Sequence, residues 1–246
     1  MPQAKKQIKS KERVAAHGEV FTNEREVKAM CDLVSQECNR FDSRFLEPAC
    51  GDGNFLAEIL TRKLARVRKL YKNSTYDYER YSLLALSSLY GVDILLDNTK
   101  SCRARLFNIW NKEYKSVCKK TCNDQTREAA TYIISQNILC GNALTMMQVN
   151  SKQQDTELPI IFPEWSLIGP KLKRRDFRLD VLLKAKDKPT RKGLFNDELN
   201  QYLSINPTTG EYMPEPIKVY PAVHYKQIQG EKVKDITLDA KVFGSE

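Results

Sequence analysis

The chain has 246 residues, 40 Lys and Arg against 31 Asp and Glu, a formal net charge of +9 and 41% hydrophobic residues, enough apolar material to bury one full-sized core. Its uncharged apolar runs, such as the one at 81–86, fall far short of the roughly 20 residues of a membrane span, and no apolar leader follows Met1. A soluble cytoplasmic protein with no membrane contact is expected. Seven cysteines (Cys31, Cys38, Cys50, Cys102, Cys118, Cys122, Cys140) include no CxxC pair, and the two histidines, His17 and His224, lie far from them and from each other. That pattern argues against a disulfide framework and against a metal site, and for reduced thiols.

Residues 1–16 are polar and basic and read as a flexible arm. Asn23 stands where an N-cap belongs, and Val27, Met30, Cys31, Val34 and Cys38 recur at helical spacing, which predicts one helix to about Cys38. A short strand over 44–47 then meets the tight turn Pro48-Ala49-Cys50-Gly51-Asp52-Gly53-Asn54, from which Phe55, Leu56, Ile59, Leu60, Leu64 and Val67 carry a helix. Further helices are predicted over 78–88, from a cap at Asp97 towards Cys118, and over 126–135, with strands over 89–94 and 137–140. Three strand-turn-helix passages in order predict a parallel, doubly wound α/β sheet. After Asn150 periodicity fades and prolines recur. A strand-like remnant at 177–183 stands in what otherwise reads as an extended C-terminal arm, residues 151–246, that packs on something else.

The chemistry gathers at strand ends. Gly51-x-Gly53 between a strand and a helix brings backbone N–H groups and a helix N-terminus to a ligand, and glycine permits close approach. A bare GxG says little alone. Here Glu47 ends the first strand, Asp93 the second and Asn142 the third, and in a doubly wound sheet these ends share one crevice. Asp93 would take ribose hydroxyls and Asn142 would face a purine. The simpler reading makes Asp93 and Asn142 ordinary helix caps; three such residues at consecutive strand ends shift the balance towards a site.

Residues 45–56, Phe-Leu-Glu-Pro-Ala-Cys-Gly-Asp-Gly-Asn-Phe-Leu, resemble the S-adenosylmethionine loop of amino-group DNA methyltransferases, above all the adenine-N6 enzymes of restriction-modification systems. His17-Gly18-Glu19-Val20-Phe21-Thr22 is similar to the segment that precedes this loop in the group whose cofactor loop comes first. Tyr90-Gly91-Val92-Asp93-Ile94 and residues 137–144 correspond to the ribose and adenine strands. The resemblance spans residues 17–148 and implies an α/β, doubly wound Rossmann-like class I methyltransferase sheet, not necessarily complete, with residues 17–150 as the cofactor domain. It further implies S-adenosylmethionine as cofactor, held by Glu19, Phe21 and Thr22 over the methionine end, by Glu47, Pro48, Ala49, Cys50, Gly51, Gly53, Asn54 and Phe55, by Asp93 and Ile94 at the ribose, and by Asn142, Ala143 and Leu144 at the adenine. Two departures stand out: Asp93 comes 40 residues after Gly53, about double the usual interval of ≈ 20, and position 142 is Asn where the family commonly has Asp.

Methyl transfer to an exocyclic amine needs a pocket that stacks a flipped base and accepts hydrogen bonds from its –NH₂. The family builds it with an (Asp/Asn/Ser)-Pro-Pro-aromatic motif after the fourth strand, yet no two prolines are adjacent in this sequence, and Leu179-Asp180-Val181-Leu182-Leu183 is followed by Lys184-Ala185-Lys186-Asp187. Asn206-Pro207-Thr208 lacks the second proline and the aromatic and reads as a turn. No catalytic residue is therefore assigned. One resolution is a split enzyme, whose second protein subunit carries the Pro-Pro-aromatic motif and the target recognition domain and which acts on double-stranded DNA. The other is a non-catalytic methyltransferase-like regulatory or DNA-binding protein.

The basic excess is concentrated. Residues 171–192 hold ten Lys and Arg against three acids, and Lys171, Lys173, Arg174, Arg175 and Arg178 are the candidates for DNA phosphates, with a solvated face or a partner surface as the alternatives. A second basic group, Arg62, Lys63, Arg66, Arg68, Lys69 and Lys72, lies on a predicted helix.

Overall fold

A computed structural model of the chain describes residues 22–184 and 201–230, together with residues 12, 13 and 15. Most of the predicted arm at 1–16 lies outside them. Asn23 caps the first helix as expected, its Oδ1 accepting from Arg25 N–H at 2.9 Å, but the single helix expected to Cys38 breaks at Val34 into α1 (Glu24–Leu33) and α2 (Ser35–Asn39). There follow β1 (Phe45–Glu47), α3 (Asn54–Tyr71), α4 (Thr75–Ser87), β2 (Leu89–Asp93), α5 (Leu96–Cys118), α6 (Asp124–Asn137) and β3 (Ile138–Asn142). Side-chain oxygens of Ser74 and Asn123 cap α4 and α6. Asp97 does not cap α5: the acceptor before that helix is Asp93, four residues earlier, which takes Leu95 N–H at 2.8 Å.

The strands β1, β2 and β3 are parallel and adjacent in that order. Two short strands that the sequence did not announce, β4 (Met147–Val149) and β5 (Asp155–Pro159), continue the sheet antiparallel beyond β3. The protein is thus α/β with a mixed five-stranded sheet. Alternation along β2 sorts the core: Leu89 points into the large cluster formed with α3, α4, α5 and α6, while Tyr90 and Val92 join Ile160, Phe162 and Leu179 on the opposite face. The four long helices pack on one face, where the doubly wound expectation placed helices on both.

Beyond β5 the described residues form further strands in place of an extended arm; residues 185–200 and 231–246 of that expected arm lie outside the description. The hairpin of β6 (Ile161–Ile168) and β7 (Lys171–Arg178) pairs over its whole length, and β10 (Lys218–Val219) and β11 (Val223–His224) line up along the other edge of β7; β8 (Leu203–Ile205) and β9 (Tyr212–Pro214) form a separate hairpin. Trp165, Leu172, Tyr225 and Ile228 are buried in the main core. Trp165 Nε1–H donates to Asn137 Oδ1 at 2.9 Å, and Asn137 Nδ2–H₂ donates to the carbonyls of Ser87 and Leu89, which pins β6 to the sheet. Of the strand-like stretch expected over 177–183, Phe177 and Arg178 are strand, the end of β7, and the rest lies in helix α7 (Leu179–Lys184). Asp180 takes its own neighbour's N–H at Val181 and pairs with Arg178, a local alternative to the ladder that ends the strand. Among the described residues no helix is long and apolar enough to cross a membrane.

Lys63 is a basic residue placed inside the main core. Lys63 on α3 is fully buried, donates to Ser43 O and, at 2.6 Å, to Ser88 Oγ, and sits 5.0 Å from the Phe45 ring centroid. Burial pulls its pKa down to about 7 from 10.5. Between those values the unfolded chain holds more protons, so this group adds stability as pH rises from 7 and ceases to do so near 10.5. Buried thiols with raised pKa, such as Cys31 and Cys118, act in the opposite direction above about pH 8.5, so the effect is read as a difference. Between pH 7 and 9 the wild type should gain about 2 kcal/mol relative to Lys63→Met in denaturant titrations; parallel pH profiles would refute the assignment.

Candidate functional site

The loop after β1 is built around two left-handed glycines, Gly51 (φ 52°) and Gly53 (φ 86°). Cys50 N–H donates to Val92 O at 2.9 Å, which carries the β1–β2 pairing into the loop, and Gly53 N–H closes the turn on Cys50 O at 2.8 Å. Gly53 starts α3, and a Cβ there would lie 2.7 Å from Cys102 Sγ on α5, so both the backbone angle and the space demand glycine. Among the described residues no side chain caps α3, which leaves its first-turn N–H groups open to a ligand or solvent. Arg105 on α5 braces the far side of the loop, with Nη1 at 2.6 Å from Asn54 Oδ1 and 3.1 Å from Asp52 Oδ1, and Asn54 Nδ2–H₂ reaches Thr22 O at 3.3 Å.

Asp93, at the end of β2, ties the first two strand ends together. Its Oδ2 accepts Gly51 N–H at 2.9 Å, and its Oδ1 accepts Leu95 N–H at 2.8 Å and Asn98 Nδ2–H₂ at 3.2 Å. A carboxylate offers about four acceptor positions, so one on Oδ2 stays open among the described residues. Asn98 is buried and passes the contact outward: its Oδ1 accepts from Arg13 Nη2 at 3.2 Å, and Arg13 Nη1 pairs with Asp97 at 2.8 Å. At the third strand end no helix follows Asn142, so it is not the helix cap of the simpler reading; residues 143–146 form a turn before β4. Its Oδ1 accepts Leu144 N–H at 3.0 Å and Thr145 N–H at 3.5 Å, and its Nδ2 donates to Asp155 on β5 at 3.0 Å, so the side chain holds its turn and ties it to β5.

Of the other candidates, Glu47 is partly buried and its pKa is raised by that burial, against the bond its carboxylate takes from Ala49 N–H. Pro48 and Ala49 are exposed, Phe55 packs against the main core, and Ile94 O accepts from Cys140 Sγ at 3.6 Å, which links the second and third strand ends. Ala143 packs on the smaller cluster, and Leu144 is 92% exposed. Glu19 and Phe21 lie outside the described residues, while Thr22 meets the loop through Asn54.

The basic candidates fare differently. Arg174 is buried against Asp176, Arg178 pairs with Asp180, and Arg175 pairs with Glu164; of the five, Lys171 and Lys173 form no ion pair among the described residues. Three of the five are thus spent on internal carboxylates, one on the same strand (Asp176), one on β6 (Glu164) and one on α7 (Asp180). The second group is also partly spent: Arg62 pairs with Glu58 and Asp32, and Arg68 with Glu113.

Arg13, Asn98 and Arg105 were not legible as site residues. Arg105 lies three positions after Cys102 and Asn98 five after Asp93, spacings that carry meaning only once α5 is seen to start at the strand end. Comparison with protein-family models, with characterised proteins and with solved structures found no match.

Proposed function

We propose that this chain is the S-adenosylmethionine-binding subunit of a split, site-specific DNA adenine-N6 methyltransferase of a restriction-modification or phage-defence system, with a Rossmann-like class I cofactor sheet. The observation that carries the reading is the bond from Gly51 N–H to Asp93, which joins the glycine loop to the acid on the neighbouring parallel strand. The cofactor supplies a sulfonium methyl group. On this reading Asp93 takes a ribose hydroxyl at its open acceptor position, and the uncapped first turn of α3 takes the methionine carboxylate. Asn142 holds the turn at Ala143 and Leu144 beside the adenine instead of touching the ring. Arg13 and Asn98 fix the rotamer of Asp93.

The chain has no base-stacking Pro-Pro-aromatic motif, so the second subunit supplies that pocket and the target recognition domain. Calorimetry should detect S-adenosylmethionine binding by the wild type, weakened about 10- to 100-fold in Asp93→Ala, as for loss of one hydrogen bond to a charged group. No binding by the wild type would overturn the reading. Methyl transfer to duplex DNA should need the second subunit: activity of this chain alone would refute the split, and inactivity beside every neighbouring gene product would favour the regulatory alternative.

A further inference from the structure

We infer that the C-terminal ends of α3 and α5 together form a surface that binds the phosphate backbone of nucleic acid without choice of base sequence. The two ends lie side by side: Arg68 Nη1 is 3.2 Å from Glu113 Oε2, and the hydroxyls of Thr75 and Thr121, just beyond the two helices, are 2.8 Å apart. Residues 65–80 and 111–128 hold ten Lys and Arg against five acids. Three of those acids, Asp77, Glu113 and Asp124, are matched by Arg80, Arg68 and Arg127; Glu79 is buried against Lys226, and Glu128 bonds the neutral Gln229. On the flank where the Phe41 ring meets Tyr71, Glu37 and Asp42 share Arg40. With these acids counted, a positive excess remains. It resides on Lys69, Lys72, Lys112, Lys115, Lys119 and Lys120, all exposed and none in an ion pair among the described residues.

The helices themselves do not call for so much charge. Each helix C-terminus presents roughly half a negative charge, so the two ends offset about one lysine. Lys112 and Lys115 stand on the side of α5 away from its buried stripe of Leu106, Trp110 and Tyr114, and Lys119 and Lys120 follow at the helix end. Lys119 sits at φ 49° and ψ −116°, a region that glycine occupies at far lower cost, so a charged side chain is kept there against local preference. The free groups also point to the occupant. Arg68, Arg80 and Arg127, which could fork onto a carboxylate, are already engaged. What remains is lysine, a point charge that meets phosphate in any orientation and is depleted from protein–protein interfaces. Duplex nucleic acid carries a negative charge every 1.7 Å or so of its axis, about twice the density of an extended acidic polypeptide. Since α5 is roughly 35 Å long and starts beside Asp93, the surface lies at the opposite end of the sheet from the glycine loop. That the nucleic acid is the substrate of the function proposed above rests on that reading; the phosphate binding itself does not.

The test is the affinity of the full chain for a random-sequence DNA duplex of about 20 base pairs, followed by fluorescence anisotropy across a range of salt. Each lysine that displaces a counterion steepens the plot of log affinity against log salt by about 0.9. Changing Lys69, Lys72, Lys112 and Lys115 together to Gln should therefore make the slope shallower by about 3 to 4 and weaken binding at least tenfold at about 0.1 M salt. Duplex should also shield these four amines from acetylation. Lys119→Gly separates charge from fold: it should raise the midpoint of urea unfolding, by relief of the backbone, while it makes the slope shallower by about 1. Absence of duplex binding, an unchanged slope in either variant, or shielding of the lysines by self-association without DNA would each overturn the inference. So would polyglutamate that competes as well as duplex at equal total charge, a result that would assign the surface to an acidic protein. None of these readouts involves S-adenosylmethionine, so the calorimetric test of the proposed function can fail while this one succeeds, and the reverse.

Discussion

Replacing Arg174 with Ala is expected to cost about 3–5 kcal/mol of folding stability, the usual loss when one partner of a buried ion pair is removed. Arg174 lies in the middle of β7 and is 7% exposed, with Asp176 at 4%. The guanidinium grips that carboxylate with Nε at 2.6 Å from Oδ1 and Nη2 at 2.9 Å from Oδ2, and its Nη1 donates to Tyr132 OH at 2.7 Å. Three aromatic rings surround it: the Tyr220 centroid lies 4.6 Å from the guanidinium carbon, with Trp165 and Tyr132 next. Without Arg174, Asp176 keeps only the Tyr220 hydroxyl, at 3.1 Å, among these side-chain donors, and the link from β7 to α6 through Tyr132 is lost. Arg174→Lys preserves the charge but not the fork, and should recover less than half of the loss. Urea titrations measure both. If Arg174→Ala instead cost under about 1 kcal/mol and weakened binding to duplex DNA, Arg174 would be a phosphate contact after all. The direct probe of DNA contact is the pair Lys171→Ala and Lys173→Ala, which should flatten the salt dependence of any DNA affinity.

The same strand shows why part of the fold could be read in advance and part could not. The glycine loop was legible because left-handed backbone angles and a close approach to Cys102 leave glycine as the residue that fits, and such positions mark the chain at once. Helix starts were legible at Asn23 for a similar reason, a short polar side chain that satisfies an orphan N–H. Asp97 misled because an acid near a helix start looks like a cap, whereas α5 has no side-chain cap among the described residues, and the acid that holds the chain there is Asp93, which accepts Leu95 N–H and, from 42 residues back, Gly51 N–H. Charge counting failed in β7 because it sees composition and not partners. Lys171–Arg178 alternates buried Leu172, Arg174 and Asp176 with more exposed positions, a half-buried strand whose inward residues are charged and mutually neutralised. Pro163 and Pro170 hid the hairpin further, although β6 accommodates Pro163 inside its paired register opposite Asp176. The candidate site was legible as three strand ends but not in its wiring. Arg13 reaches α5 across 84 residues, and no local pattern announces such a contact.

Glu79 should prove as costly to remove as Arg174, and for a reason that ties helix α4 to the end of the described chain. It is 1% exposed and serves four donors: Tyr114 OH from α5, Asn123 Nδ2 at 2.7 Å from the cap of α6, Tyr225 OH at 2.6 Å and Lys226 Nζ at 3.1 Å. Burial alone would raise its pKa, but the bonds from Tyr114, Tyr225 and Lys226 outweigh that and hold it below the ordinary 4.5. Glu79→Ala leaves all four donors facing a void and should cost about 3–5 kcal/mol, with Glu79→Gln, which keeps one acceptor oxygen, nearer 1–3 kcal/mol. The pH dependence separates charge from packing. A carboxylate with a depressed folded pKa contributes stability that is fully present above its unfolded value of 4.5 and is lost as pH falls through the folded one. The stability gap between wild type and Glu79→Gln should therefore narrow as pH drops below about 4.5, measured in urea titrations at several pH values. A gap that stays constant to low pH would mean that Glu79 holds α4, α5, α6 and the Tyr225 turn together by shape and neutral hydrogen bonds, not by its charge.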